Sequence, residues 1–216
     1  IGIRSWDLSK KRHVYLLGAG KAANAMARAM DEILGDWLTQ GIVIVKIQEE
    51  SDRFHRTQLY VGGHPLPNQA GYEASQKILE LVDRSGPEDL FIAVISGGSS
   101  ALMSCPLEGL TLQDEIDTTD VLLKAGTGIL ELNAVRRHIS QTNGGMLAKR
   151  IAATGAELIG FSISDAVGTP PTGDIRIPCS RFFSTPIGPD QTTFDDARRV
   201  IRNYDAAARL PRRVGE

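Results

Sequence analysis

The chain has 216 residues, 42% of them hydrophobic, with 24 Lys and Arg against 26 Asp and Glu for a formal charge of -2. That size and apolar content suit one large α/β domain, and the near-neutral balance gives no reason to expect nucleic acid as a partner. No run approaches the ~20 apolar residues of a membrane span; two cysteines, Cys105 and Cys179, are too few for a disulfide framework, so reduced thiols, a cytoplasmic location and no membrane partner are expected.

The sequence opens on Ile1-Gly-Ile-Arg-Ser-Trp6 without an initiating methionine and closes on Leu210-Pro-Arg-Arg-Val-Gly-Glu216, which reads as an unfinished linker; a fragment of a longer protein is expected. His13-Val-Tyr-Leu-Leu17 reads as a short strand giving way to a turn at Gly18-Ala-Gly-Lys21. Residues 22–34 are helical, with Ala22, Met26, Ala29, Met30 and Ile33 on one face at the 3.6-residue period. Gly41-Ile-Val-Ile-Val-Lys46 is a second strand and closes a βαβ unit. Thr57-Gln-Leu-Tyr-Val61 is a third strand, running into Gly62-Gly-His-Pro-Leu-Pro67, where the prolines impose a rigid loop.

An amphipathic helix follows over 70–82. Leu90-Phe-Ile-Ala-Val-Ile95 is the continuous apolar run of a strand buried on both faces, and it stops abruptly at Ser96-Gly-Gly-Ser-Ser100. Thr111 caps a helix, with Asp114 three residues on; that helix carries Ile116, Leu122 and Leu123 and ends at Gly126. Residues 129–139 and 144–151 are helical, and 157–163 form a strand ending at Ser164-Asp165. Residues 168–190, rich in proline, glycine and threonine, form either a functional lid or a loop hiding a short strand at 175–177. Thr193 caps a last helix over 194–204, with Ala197, Val200, Ile201 and Tyr204 inward. Alternating strands and helices predict an α/β fold: a three-layer helix/sheet/helix sandwich on a mostly parallel, Rossmann-like sheet. It spans 1–205, with 206–216 a tail or truncated linker.

Five polar groupings carry candidate chemistry. Lys21 sits at a helix N-terminus, where the dipole disfavours a cation unless an anionic ligand joins it to the backbone N–H groups. The run is neither a Walker A loop nor GxGxxG, since Ala22 follows the lysine and Ala23 stands where the third glycine belongs; the bland alternative is a tight turn with a solvated lysine. His64 either holds a substrate carboxylate, shuttles a proton, or hydrogen-bonds its own loop. Ser96, Gly97, Gly98, Ser99 and Ser100 offer N–H and hydroxyl groups to an anion at a strand's carboxyl end. Their spacing is not the GxSxG elbow, which disfavours a covalent serine.

In Asn133-Ala-Val-Arg-Arg-His138, Asn133 and Arg137 share a helix face while Arg136 points elsewhere. One arginine is expected to fork onto a carboxylate or phosphate and the other to be a surface charge. Asp165 is positioned to meet Mg²⁺ carried on a nucleotide, an ion that needs only one or two protein carboxylates; Asp174 and Asp190 are weaker candidates. The four histidines lack zinc-type spacing.

Gly18-Ala-Gly-Lys-Ala-Ala-Asn-Ala-Met26, Gly63-His-Pro-Leu-Pro67, Ile95-Ser-Gly-Gly-Ser-Ser-Ala-Leu102 and Asn133-Ala-Val-Arg-Arg-His-Ile-Ser140, with Gly144-Gly-Met-Leu-Ala148, Ser164-Asp165 and Pro189-Asp190, occur in a telling order. Over 13–204 the chain resembles the amino-terminal domain of the type-2 glycerate kinase family. The resemblance implies ATP-dependent phosphorylation of the 2-hydroxyl of D-glycerate with Mg²⁺. Lys21, His64 and Arg137 become the catalytic candidates. Substrate or phosphate binding falls to Ser96, Gly97, Gly98, Ser99, Ser100, Asn133 and Arg136, and the metal to Asp165. The chain departs from the family pattern at Ser99, where a glycine is usual, at Asn143, where a lysine is usual, at Gly168-Thr-Pro-Pro171, where Gly-Asp-Asp is usual, and at Ser184-Thr-Pro-Ile-Gly188, where Ser-Gly-Pro-Thr is usual.

The same resemblance implies a carboxyl-terminal domain that closes over the cleft and is missing from this chain, which alone is expected to be weak or inactive. Such sequences also carry the label hydroxypyruvate reductase, which makes NADH or NADPH the alternative cofactor. The absence of GxGxxG, and Lys46 at a strand end where an acid belongs, count against that reading. A third reading is a non-catalytic domain that binds a small hydroxy acid or a nucleotide. A homodimer stays open.

Overall fold

The computed structural model describes residues 5–163 and 185–215. Five parallel strands form one sheet: β1 (His13–Gly20), β2 (Gln40–Val45), β3 (Thr57–Val61), β4 (Asp89–Ser96) and β5 (Glu157–Ile163), in the order β3-β2-β1-β4-β5. Every residue of β4 is buried, as its unbroken apolar run requires of a strand covered on both faces. Helix α1 (Ala23–Leu34) covers one face, packing Ala23, Ala27 and Leu34 on Val14, Leu16, Val43 and Leu90. Helices α2 (Gln69–Asp83) and α6 (Met146–Ala153) cover the other, with Ala74, Ile78, Leu147 and Ile151 against Leu17, Ile42 and Phe91. The fold is the three-layer α/β sandwich expected.

Two local expectations need correction. Strand β1 runs on through Gly18-Ala-Gly20, because β2 and β4 flank it and offer partners to the end: Gly20 pairs with Val45 and Ala19 with Ile95. Helix α1 is also rotated from the expected face. Ala29 and Ile33 are exposed and Asp31 is buried, since its carboxylate accepts the backbone N–H groups of His55 and Arg56 and the hydroxyl of Thr57, fastening the approach to β3.

A helical flank completes the described structure. It contains α3 (Ser99–Leu102), α4 (Leu112–Lys124), α5 (Ile129–His138), α7 (Phe194–Asn203) and α8 (Arg212–Gly215). The Thr111 and Thr193 caps form as reciprocal capping boxes with Asp114 and Asp196. Leu122, Leu132, Val135, Ala197 and Val200 make a third cluster. The stretch expected to be a tail joins it: Ala206 and Leu210 are buried there, joined by a 3-10 turn at Ala207–Arg209. Among the described residues no helix is long and apolar enough to cross a membrane. Asp165, Asp174, Cys179 and the strand considered at 175–177 lie outside the described residues.

Candidate functional site at the strand-order reversal

The chain builds β2 and β3 on one side of β1, then crosses to place β4 and β5 on the other. The carboxyl ends of β1 and β4 therefore flank the topological switch point, where open α/β sheets leave a crevice. The two glycine motifs singled out from sequence end these two neighbouring strands. They are also fastened together: the Lys21 N–H donates to the Gly97 carbonyl at 2.9 Å, and the Ala22 N–H to Ser96 Oγ at 3.0 Å. Gly20 has φ +140°, and a Cβ there would stand 2.0 Å from Ser96 Oγ, so only glycine permits the approach.

Gly98, with φ +90°, turns the chain from β4 into α3. A Cβ on Gly98 would fall 2.9 Å from His64 Cδ2, 3.1 Å from His64 Nε2 and 3.5 Å from Lys21 Cγ. Three separate motifs thus meet around one missing side chain. His64 arrives there on the loop after β3, whose far end is fixed by Asn68: its Oδ1 accepts from the Gly71 N–H and caps α2, and its Nδ2 donates to the Val61 carbonyl. Lys21 is exposed, and His64, Gly97, Gly98 and Ser100 are partly so, which leaves the wall accessible.

The hydroxyls divide by burial. Ser96 and Ser99 are buried, Ser96 holding Ala22, whereas Ser100 is partly exposed. Asn143, another departure from the family pattern, is fully buried and donates from Nδ2 to the Ser100 carbonyl at 3.1 Å, steadying the same turn.

Asn133, Arg136 and Arg137 are all buried in α5. Arg136 is therefore no surface charge. Its Nη2 donates to the Pro65 carbonyl at 3.0 Å and its Nε to Thr119 Oγ1 at 3.3 Å. Arg137 Nη1 bonds Asp190 Oδ1 at 3.0 Å, and that oxygen also accepts from the N–H and hydroxyl of Thr192. Gly144 lies against both side chains: a Cβ there would sit 3.2 Å from Arg137 Cβ and 3.3 Å from Asp190 Cβ. Asp190 thus emerges as the arginine's holder.

Glu115 in α4 escaped sequence reasoning. It is 1% exposed, and burial pushes its carboxyl up to about 7, opposed by Ser104 and Arg136. Burial likewise lowers Arg136 to about 10, opposed by Glu115. The signal was available in the helical period: 115, 118, 119 and 122 form the inward stripe of α4, while Leu123 is exposed. Cys105 is a core thiol whose pKa burial raises to about 11, which keeps it unreactive. A groove of about 550 Å³ between Leu110, Val135, Phe194 and Val214 lies apart from this wall, and His138 belongs to it, edge-on to Phe194 at 4.6 Å.

A family model described as a domain of unknown function, DUF4147, matches residues 2–216. The chain belongs to that glycerate-kinase-like family. It is 38% identical over 212 residues to glycerate 2-kinase of Pyrococcus horikoshii, covering 98% of this chain and 45% of that protein. It is 36% identical over 189 residues to a putative hydroxypyruvate reductase of Agrobacterium vitis, covering 88% and 46%. The crystal structure of glycerate kinase from Thermotoga maritima superposes with a TM-score of 0.79 at 33% identity, over 94% of this chain and 46% of that one. The chain spans less than half the length of these relatives.

Proposed function

We propose that the chain carries one wall of a cytoplasmic glycerate 2-kinase cleft, in which ATP phosphorylates the 2-hydroxyl of D-glycerate. The observation that carries this reading is the convergence of Lys21, Gly98 and His64 at the switch point, around a space that a single Cβ would fill. The Lys21 ammonium, the backbone N–H groups after Ser96 and the Ser100 hydroxyl suit the phosphates, as phosphoryl transfer rests on positioning and charge neutralisation. Asn133 and Arg137 are assigned to the glycerate carboxylate's side of the cleft; both are buried and Arg137 is held through Nη1 by Asp190, so they would shape that subsite from behind. The 2-hydroxyl attacks the γ-phosphorus in line, the bond to the β,γ-bridging oxygen breaks, and the hydroxyl proton passes to His64 or to solvent.

Among the described residues no group of three or more His, Cys, Asp or Glu side chains gathers as a metal site. Mg²⁺ carried on the nucleotide phosphates is assigned Asp165 as its one protein carboxylate; when bound, the ion would supply charge neutralisation. The rest of the cleft is assigned to the part of the relatives that this chain does not match, and the 216 residues alone are expected to turn over slowly or not at all.

The reductase reading has the Agrobacterium relative's name behind it. Against it, Asp52 on the loop after β2 is buried and already accepts from the Glu49 N–H and Asn24 Nδ2, so it does not offer a ribose its carboxylate. ADP release from Mg-ATP with D-glycerate, set against loss of NADH or NADPH absorbance with hydroxypyruvate, separates the two. Calorimetric binding of glycerate or ATP at the relatives' length with turnover in neither assay would favour the non-catalytic reading.

A further inference from the structure

Arg136 is an expensive residue to bury. An arginine withdrawn from water needs its N–H groups bonded and a compensating charge, and this one stands 6% exposed between α4 and the His64 loop. From α4 it meets Thr119 Oγ1 at its Nε, with Glu115 one helical turn before Thr119 on the same inward stripe. Toward the site it donates from Nη2 to the carbonyl of Pro65, the residue next to His64. Apolar residues of similar volume could fill such a space, since buried charged groups contribute little net stability. What the arginine supplies that an apolar side chain cannot is a directed donor, and its target adjoins the histidine that closes on Gly98 and Lys21.

We infer that Arg136, held from α4 by Thr119 Oγ1, sets the position of the His64 ring against Gly98 and Lys21, as a positioning residue working through the Pro65 carbonyl. This deepens the kinase reading and rests on it for the use made of His64, but the contact itself is testable without substrate.

The test is histidine-ring and backbone-amide NMR on the 216-residue chain, with the His64 signals assigned by His64→Gln. Arg136→Met, which keeps the stem and removes the donors, is expected to move the His64 ring signals and the Lys21 and Gly98 amides by more than a linewidth. Arg136→Lys, which retains an ammonium donor, should restore part of that shift. Leu122→Ala, a cavity on the same face of α4, should lower the melting temperature and leave those signals in place. If Arg136→Met does not fold, Thr119→Val, which removes only the Nε partner, is expected to move the same signals by less. The inference is overturned if the His64, Lys21 and Gly98 signals of the folded arginine or threonine variant coincide with wild type, or if Leu122→Ala moves them as far. A glycerate assay plays no part in this readout, so the kinase reading can fail while the positioning stands, or the reverse.

Discussion

Ser96 Oγ accepts the Ala22 N–H at 3.0 Å, and through that bond the end of β4 holds the start of α1. The two glycine motifs, 75 residues apart in sequence by Lys21 and Ser96, become one surface because β1 and β4 are neighbours in the sheet. The wall's shape therefore depends on how closely Gly20 and Ser96 approach.

Gly20→Ala tests that approach. Its Cβ would meet Ser96 Oγ at 2.0 Å and the Ser96 backbone N and C at 2.8 Å, at a φ that L side chains rarely adopt. Overpacking and strain together should lower stability by about 3 kcal/mol or more, read as a lower urea midpoint. Adding Ser96→Ala should recover only part of the loss, since the backbone clash remains. Full recovery would show that the hydroxyl alone limits the approach.

The pair of Arg137 and Asp190 should behave as one unit. Arg137 is buried and its partner oxygen also serves Thr192, so Arg137→Met leaves a carboxylate short of its cation. Each single replacement, Arg137→Met or Asp190→Asn, should cost on the order of 3 kcal/mol. The double variant should cost much less than the sum, as measured by a thermal or urea double-mutant cycle.

Glu115 gives stability a pH dependence of known sign. Its folded pKa is raised to about 7 by burial, from an ordinary value of 4.5. The folded state therefore holds a proton that the unfolded state has released, so the stabilising contribution is full below about pH 4.5 and is lost as pH rises through about 7. Arg136, Ser104 and the Cys105 thiol are the groups whose influence it shares. In Glu115→Gln this slope should disappear: relative to wild type, the variant's melting temperature should rise between pH 5 and 7 and level off above that. A difference flat across that range would contradict the assignment.

Strand-level order was readable because parallel strands buried on both faces are unbroken apolar runs, as 90–95 is. The reach of β1 was not, since Gly18-Ala-Gly20 looks like a turn until neighbours on both sides complete its ladder. The face of α1 was misjudged because Asp31 is buried through bonds to the approach to β3, a partner that helical periodicity does not register. The candidate wall was legible as separate motifs, Lys21, His64 and the turn after Ser96; their meeting at Gly98 required the strand order. Arg136 was legible as a charge but not as a buried one, because its partners Pro65 and Thr119 are polar atoms of residues with no functional signature.

The most direct test of the proposed wall is turnover of D-glycerate with Mg-ATP by the protein at the length of its relatives, comparing wild type with Lys21→Met. Lys21 is exposed, so the replacement should leave stability within about 0.5 kcal/mol. Wild type should release ADP and form 2-phosphoglycerate, and the variant should lose roughly 100-fold or more in kcat, the scale of one charge-stabilising group in phosphoryl transfer. A variant as fast as wild type, or a wild type that consumes NADH or NADPH with hydroxypyruvate and releases no ADP, would contradict it.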